Sequence, residues 1–81
     1  MKIKVKFFAI LRARAGIGEI TKEMKEGSTV EDLWEALKCD YPQLARAEVR
    51  LLYAVNQNYV APSHVLKDRD EVVFVPPVSG G

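Results

Sequence analysis

Residues 2–10 read KIKVKFFAI, and they open with strict alternation of charged and apolar side chains. Side chains alternate between the two faces of an extended strand, so the apolar side carries Ile3, Val5 and Phe7 while the three lysines face the other way. This pattern predicts a half-buried first strand that packs its apolar side on a core. Phe8 and Ile10 fall on the lysine-bearing side, so we expect the far end of the strand to be apolar on both faces.

One clear helix is predicted in the middle of the chain. Its apolar stripe has the spacing of a helix face and consists of Val30, Leu33, Trp34, Leu37 and Tyr41. Ser28 and Glu31 fit a capping box at its start, and Pro42 ends it, because the residue before a proline avoids the helical conformation. Such a stripe has to lie on a sheet.

The other segments read as strands joined by turns. They are residues 19–25 (EITKEMK), 51–56 (LLYAVN), a short returning strand at 59–60 and 71–75 (EVVFV). This order predicts an α+β domain over residues 1–75, with one main helix across a mixed sheet of four to five strands. If the first and last strands are neighbours at the centre, the fold is the β-grasp, or ubiquitin-like, arrangement. Strand order alone leaves that point open.

Composition excludes several classes of function. The 81 residues carry 12 Lys and Arg against 11 Asp and Glu, a net charge of +1, so we expect no binding to nucleic acid or to a membrane surface. The single cysteine, Cys39, and the single histidine, His64, exclude an internal disulfide and a two-histidine metal site. We therefore predict no bound metal, a reducing cytoplasmic location and no independent enzymatic activity.

The last six residues are the most informative part of the sequence: Pro76, Pro77, Val78, Ser79, Gly80 and Gly81. Two prolines favour an extended exit from the sheet, and two glycines leave no side chain to obstruct a narrow channel. Six extended residues span roughly 20 Å, enough to carry a terminal carboxylate away from the domain. We expect residues 76–81, here called the C-terminal tail, to be extended and flexible. A terminus that is merely frayed is the alternative.

The chain resembles the small, sulfur-carrier subunit of molybdopterin synthase over essentially its whole length. The most specific match is the terminal PPVSGG, and the others are Asp70-Glu71-Val72, Phe7-Phe8-Ala9, Leu11-Arg12 with Gly16, Thr29-Val30 and Val55-Asn56-Gln57. Two positions depart from the family pattern. Ala13 stands where an acidic residue commonly follows the arginine, and Arg69 stands where glycine is usual. If that turn needs a positive φ, Arg69 is mildly strained there.

The resemblance implies a covalent carrier rather than a catalyst. An adenylating enzyme similar to ubiquitin-activating enzymes would join the Gly81 carboxylate to AMP with ATP and magnesium, and a persulfide donor would convert it to a thiocarboxylate. The tail from Pro76 to Gly80 would then insert into the large subunit of a heterotetrameric synthase, whose active site transfers the sulfur to a cyclic pyranopterin monophosphate precursor.

Strand parity and the resemblance together predict a partner interface on the open face of the sheet, formed by Phe8, Arg12, Tyr59 and Val75. Other functions stay open from sequence. The Gly-Gly end also suits a sulfur carrier for thiamin, tRNA thiolation or cysteine synthesis. It suits equally a ubiquitin-like modifier that is joined to lysines, and a plain interaction module with an inert tail is a further reading.

Overall fold

The computed structural model describes residues 1–46 and 51–76. Over these residues the chain forms β1 (Lys2–Phe7), α1 (Ile10–Ala15), β2 (Glu19–Glu23), α2 (Val30–Asp40), a 3-10 helix (Pro42–Arg46), β3 (Leu52–Val55), β4 (Asn58–Val60) and β5 (Glu71–Val75). The predicted α+β order with one main helix is confirmed, and β5 has the predicted bounds.

The first and last strands are neighbours at the centre of the sheet. The strand order is β2-β1-β5-β3-β4. β1 and β5 are parallel, with Val5 opposite Val72 and Phe7 opposite Phe74, whereas the remaining pairs are antiparallel. The condition for a β-grasp arrangement is therefore met. A parallel pair needs a long crossover, and here α2 lies within that crossover.

The core lies between α2 and one face of the sheet. Every apolar residue that alternation assigned to the inner side of β1 is buried, as are Val72 and Phe74 of β5. The helix contributes Val30, Leu33 and Leu37, which have no exposed surface. Trp34 is only half-buried, but its ring centre lies 5.1 Å from that of Phe74. Each fully buried aliphatic or aromatic side chain stabilises the fold by about 1.5–3 kcal/mol.

The capping box of α2 begins one residue later than Ser28 and Glu31 predicted. Thr29 is the N-cap: its hydroxyl accepts from the Asp32 N–H at 3.1 Å, and the Asp32 carboxylate accepts from the Thr29 N–H at 2.9 Å. The backbone of Ser28 is used elsewhere, since its carbonyl accepts from the Leu66 N–H at 2.8 Å. That tertiary bond, invisible in the sequence, fixes the start of the helix.

The prediction that the first strand continues to residue 10 is wrong. β1 ends at Phe7, and a six-residue helix, α1, starts at Ile10. Ala9 precedes it at φ 54°, and Gly16 ends it at φ 75° with its N–H donating to the Arg12 carbonyl. Leu11 is the one buried residue of this helix, so no apolar stripe announces it. Phe8, the first residue after β1, and Ile10, the first residue of α1, are both exposed.

Besides the turn at Ala9, two turns contain residues with positive φ that are not glycine. Asn56 (φ 50°) and Gln57 (φ 72°) join β3 to β4, the backbone of a type I′ hairpin turn. Arg69 has φ 68° in the turn before β5, so the positive φ on which the expected mild strain depends is present. The side chain of Asp70 is buried beside that turn and accepts from the Asn56 amide at 2.9 Å and from the Lys67 N–H at 2.8 Å.

Candidate functional site

The parallel pairing of β1 and β5 determines where the C-terminal tail leaves the domain. Parallel strands end at the same edge of a sheet, so the residues after Phe7 and the residues after Phe74 emerge side by side. Val75 is the last residue of β5 and lies opposite Leu52 of β3, and Pro76 follows it, half-buried. The tail thus starts from the middle of the sheet, next to Phe8.

The outer face of the sheet, away from α2, carries an apolar patch at this exit. Phe8 and Leu52 are each 49% exposed and Tyr59 is 72% exposed, while Val73 and Val75 are half-buried. We call this set the exit patch: Phe8, Leu52, Tyr59, Val73 and Val75. Clustered exposed apolar side chains of this kind mark docking surfaces.

The rest of the outer face is charged and internally paired. Lys4 lies 2.9 Å from Glu19, and Lys6 lies 3.6 Å from Glu71. The hydrogen bond with Glu19 raises the pKa of Lys4, and the same bond lowers the pKa of Glu19. All four side chains are partly exposed, so these pairs contribute little to stability. They do leave this part of the face close to neutral.

Arg12 stands at the boundary between the exit patch and the charged area. A shallow groove brings its side chain together with Phe8 and Lys6, and it is completed by Phe7, Gly18 and Glu19. A second shallow depression is lined by Arg12 together with Ala9, Ala13, Gly16, Ile17 and Gly18. Arg12 therefore lines two depressions, one of which also includes Phe8.

The four predicted interface residues thus do not lie equally close to the start of the tail. Phe8 and Arg12 share one groove, and Val75 follows on the neighbouring strand. Tyr59 lies on the same face but on the edge strand β4, separated from β5 by β3. Pro77, Val78, Ser79, Gly80 and Gly81 lie outside the described residues, so their predicted role stays a prediction.

Leu52 is a member of the exit patch that sequence reasoning missed. Its exposure follows from the parity of β3, in which Val55 is buried and Tyr53 is half-buried with its ring 5.7 Å from that of Phe74. Within LLYAVN the run of apolar residues hid this alternation. Leu52 and Ala54 share one parity and Tyr53 and Val55 the other, but a run that is apolar at every position does not show which parity faces outward.

Residues with other chemistry are scattered over the surface. Cys39 and His64 are both exposed. Within residues 1–46 and 51–76, no group of three or more His, Cys, Asp or Glu is placed to hold a metal ion. No helix in these ranges has the length and apolar character needed to cross a membrane.

The mixed sheet with parallel central strands, and a single long helix across it, defines a ubiquitin-like β-grasp protein. The model of the ThiS family matches residues 5–81. The chain belongs to this family, and the match includes both the exit patch and the C-terminal tail.

Two curated relatives that match over nearly the whole chain carry the same name. The molybdopterin synthase sulfur carrier subunit of Chlamydomonas reinhardtii is 42% identical over the full length of both chains. That of Escherichia coli is 44% identical, with 98% of this chain and 99% of the relative covered.

Solved structures share the fold. The small archaeal modifier protein SAMP1 of Haloferax volcanii superimposes with a TM-score of 0.90 at 26% identity, covering both chains completely. A complex of subunits 1 and 2 of the molybdopterin-converting factor from Helicobacter pylori contains a chain with a TM-score of 0.70 and full coverage of both chains. That chain is 22% identical and shows the fold alone.

Proposed function

We propose that this chain is the sulfur carrier subunit of a molybdopterin synthase. The observation that carries the proposal is the match over the full length of both chains to a molybdopterin synthase sulfur carrier subunit at 42% identity. The geometry supports it, because an apolar docking patch lies beside the point where the tail starts at Pro76. The chain would supply a carried group and leave catalysis to its partners.

The reacting group would be the carboxylate of Gly81. A carboxylate is a poor electrophile, so an adenylating enzyme resembling ubiquitin-activating enzymes first joins it to AMP from ATP, with magnesium, and releases pyrophosphate. The terminal sulfur of a persulfide donor then attacks the acyl carbon and AMP leaves. A thiol reduces the resulting S–S bond, which leaves the Gly81 thiocarboxylate and a disulfide on the donor side.

Sulfur delivery would take place in the large subunit, within a heterotetramer. The thiocarboxylate sulfur forms a bond to a carbon of the cyclic pyranopterin monophosphate precursor while the C–O bond at that carbon breaks and the oxygen leaves with a proton, and water then hydrolyses the acyl–sulfur bond. This step leaves the sulfur on the precursor and restores the Gly81 carboxylate for another cycle. Pro76, Pro77, Val78, Ser79 and Gly80 would serve as the narrow extended segment that reaches the active site. The large subunit would dock on the exit patch and Arg12.

The test is the intact mass of the chain isolated from its native host. We expect a species heavier by the replacement of one oxygen with sulfur, absent from a host that lacks the adenylating enzyme and from a chain without Gly81. The purified species, mixed with the large subunit and the precursor, should yield molybdopterin in a single turnover. A native chain that never carries the extra sulfur would contradict the carrier mechanism.

A protein modifier is the second candidate, favoured by the structural likeness to SAMP1. The adenylate would be the same, but a lysine amine would attack the acyl carbon, AMP would leave and an isopeptide bond would form. The same mass experiment separates the two functions. Higher-mass conjugates with a glycine remnant on lysine indicate a modifier, whereas an unconjugated sulfur-bearing chain indicates a carrier.

A further inference from the structure

We infer that Gly18 is a positioning residue for Arg12, and that the guanidinium it positions receives an acidic side chain of the docking partner. The inference rests on the proposed function, since it concerns docking at the tail exit. Its basis is a close approach between the two residues. A Cβ atom added at Gly18 would lie 3.2 Å from Nε and 3.3 Å from Cζ of Arg12.

The backbone under the guanidinium is itself fixed to the sheet. The Gly18 carbonyl accepts a hydrogen bond from the Phe7 N–H at 2.9 Å, directly before β2 begins. Arg12 lies in the last turn of α1, which Gly16 ends through its N–H bond to the Arg12 carbonyl. The backbone of both residues is thus fixed, and the absence of a side chain at position 18 leaves room for the Arg12 side chain close to that backbone.

Gly18 does not need to be glycine for conformational reasons. Gly16 and Gly27 have positive φ and open space around the missing Cβ, whereas Gly18 has neither property. An added methyl group would press on the end of an exposed, flexible side chain, which can move at little cost to the fold. The glycine therefore matters for where Arg12 stands rather than for whether the loop forms.

The chemistry at this place favours an acidic partner group. Lys6 and Glu19 also line the groove, but Lys6 lies 3.6 Å from Glu71 and Glu19 lies 2.9 Å from Lys4, so Arg12 is the cation of the groove that has no ion-pair partner among the described residues. A correctly oriented guanidinium binds a carboxylate through two parallel hydrogen bonds, and this geometry is lost when the group rotates. The groove adjoins Phe8, so a partner segment with an acidic residue next to an apolar one fits both features.

The test is a double-mutant cycle for binding of the purified molybdopterin synthase large subunit, measured by calorimetric titration. We expect Arg12→Ala to raise Kd roughly tenfold or more, which corresponds to a lost charge-assisted hydrogen bond. Gly18→Ala should raise Kd about three- to tenfold in the wild-type background and less than about twofold in the Arg12→Ala background. Kd of the wild type should also rise more steeply with salt than Kd of either variant.

Gly27→Ala is the matched control. It forces alanine into a positive φ at the far side of the domain, so it should lower the melting temperature without changing Kd. Gly18→Ala should instead raise Kd and leave the melting temperature unchanged. The Nε–H nuclear magnetic resonance signal of Arg12 gives a readout without partner, and it should shift in Gly18→Ala.

Three results would overturn the inference: an unshifted Arg12 signal, an equal loss of binding from Gly18→Ala in both backgrounds, or no effect of Arg12→Ala. If the wild-type chain carries sulfur but the variants fail these tests, the inference about Gly18 is wrong and the proposed function stands. If the wild-type chain does not bind the large subunit, the docking role of Gly18 is also wrong. The carrier mechanism is refuted separately, by a native chain that lacks the thiocarboxylate.

Discussion

Phe7 and Phe8 are adjacent in sequence, yet the structure predicts opposite consequences for the same substitution. Phe7 is 1% exposed under α2, and Phe8 is 49% exposed in the exit patch. We expect Phe8→Asp to leave a folded monomer that no longer docks on the large subunit, and Phe7→Asp to unfold the domain. Because the new side chain is identical in the two variants, the comparison isolates the effect of position.

The magnitudes follow from burial. A domain of this length is stable by roughly 4–12 kcal/mol. Phe7→Asp loses about 3–5 kcal/mol of packing and adds several kcal/mol for a carboxylate without a partner in the core, which together match the whole stability. Phe8 has half its surface in water already, so its loss costs the fold at most about 2 kcal/mol.

Binding reverses the comparison. Docking would cover the exposed half of the Phe8 ring, roughly 100 Å², which contributes about 2.5 kcal/mol. A carboxylate in that place also loses its hydration, so Kd of Phe8→Asp should rise by at least about a hundredfold. Val75→Asp, in the last residue of β5 directly before the tail, should act in the same direction.

The measurements are far-ultraviolet circular dichroism of each monomer, followed by calorimetric titration with the large subunit and with the adenylating enzyme. If Phe8→Asp unfolds the chain while Phe7→Asp does not, the assignment of the two faces is wrong. If Phe8→Asp and Val75→Asp both bind with wild-type affinity, the exit patch is not the interface and recognition depends on the tail alone.

Three further perturbations test separate parts of the molecule. Removal of Gly81 should abolish ATP–pyrophosphate exchange by the adenylating enzyme at unchanged melting temperature, because the reacting carboxylate moves by about 3.5 Å; normal exchange would refute the carrier mechanism. Arg69→Gly should raise the free energy of unfolding by up to about 1 kcal/mol in urea titrations, since it relieves a φ of 68°; a loss of stability would show that the arginine makes a compensating contact. The Lys2 N–H donates to the Asp68 carboxylate at 2.7 Å and lowers the pKa of that carboxyl, so the stabilisation it gives is present above about pH 4 and is lost as pH falls further. Asp68→Asn should therefore make the free energy of unfolding less dependent on pH in this acid range, and an unchanged dependence would contradict the assignment.

The elements that the sequence predicted well are those in which burial and periodicity agree. β5 was placed at residues 71–75 because Pro76 stops the ladder, and the inner side of β1 follows from strict alternation. The start of α2 was one residue out, because both Ser28 and Thr29 have a hydroxyl with an acidic residue three positions later. Tertiary bonds distinguish them: the Ser28 carbonyl accepts from the Leu66 N–H, and the Val30 and Glu31 N–H groups donate to the His64 and Pro62 carbonyls.

Two features were not predicted, α1 and the outward position of Leu52, because in neither segment does an apolar pattern mark the buried side. α1 has six residues, one buried side chain and no side-chain cap at Ala9, so neither periodicity nor capping marks it in the sequence. Its consequence is functional, because this turn of helix places Arg12 next to Phe8. Leu52 was missed because β3 is apolar at successive positions, and only pairing with Val75 shows which face it occupies.

The position of β5 connects docking and delivery in one structural feature. A last strand at the sheet edge would release the tail at the periphery, where a partner holding the outer face would have to reach around the domain. Here β5 lies between β1 and β3, so its end is flanked by Leu52 of β3 and by Phe8, which directly follows β1. A partner seated on these side chains would be aligned with the start of the tail at Pro76, because the same ladder positions Pro76 and the patch. Both the patch and the start of the tail depend on the parallel pairing of β1 with β5. A substitution that shifts this register would therefore displace the patch and Pro76 together. Substitutions within the patch alone would weaken docking and leave the position of Pro76 unchanged.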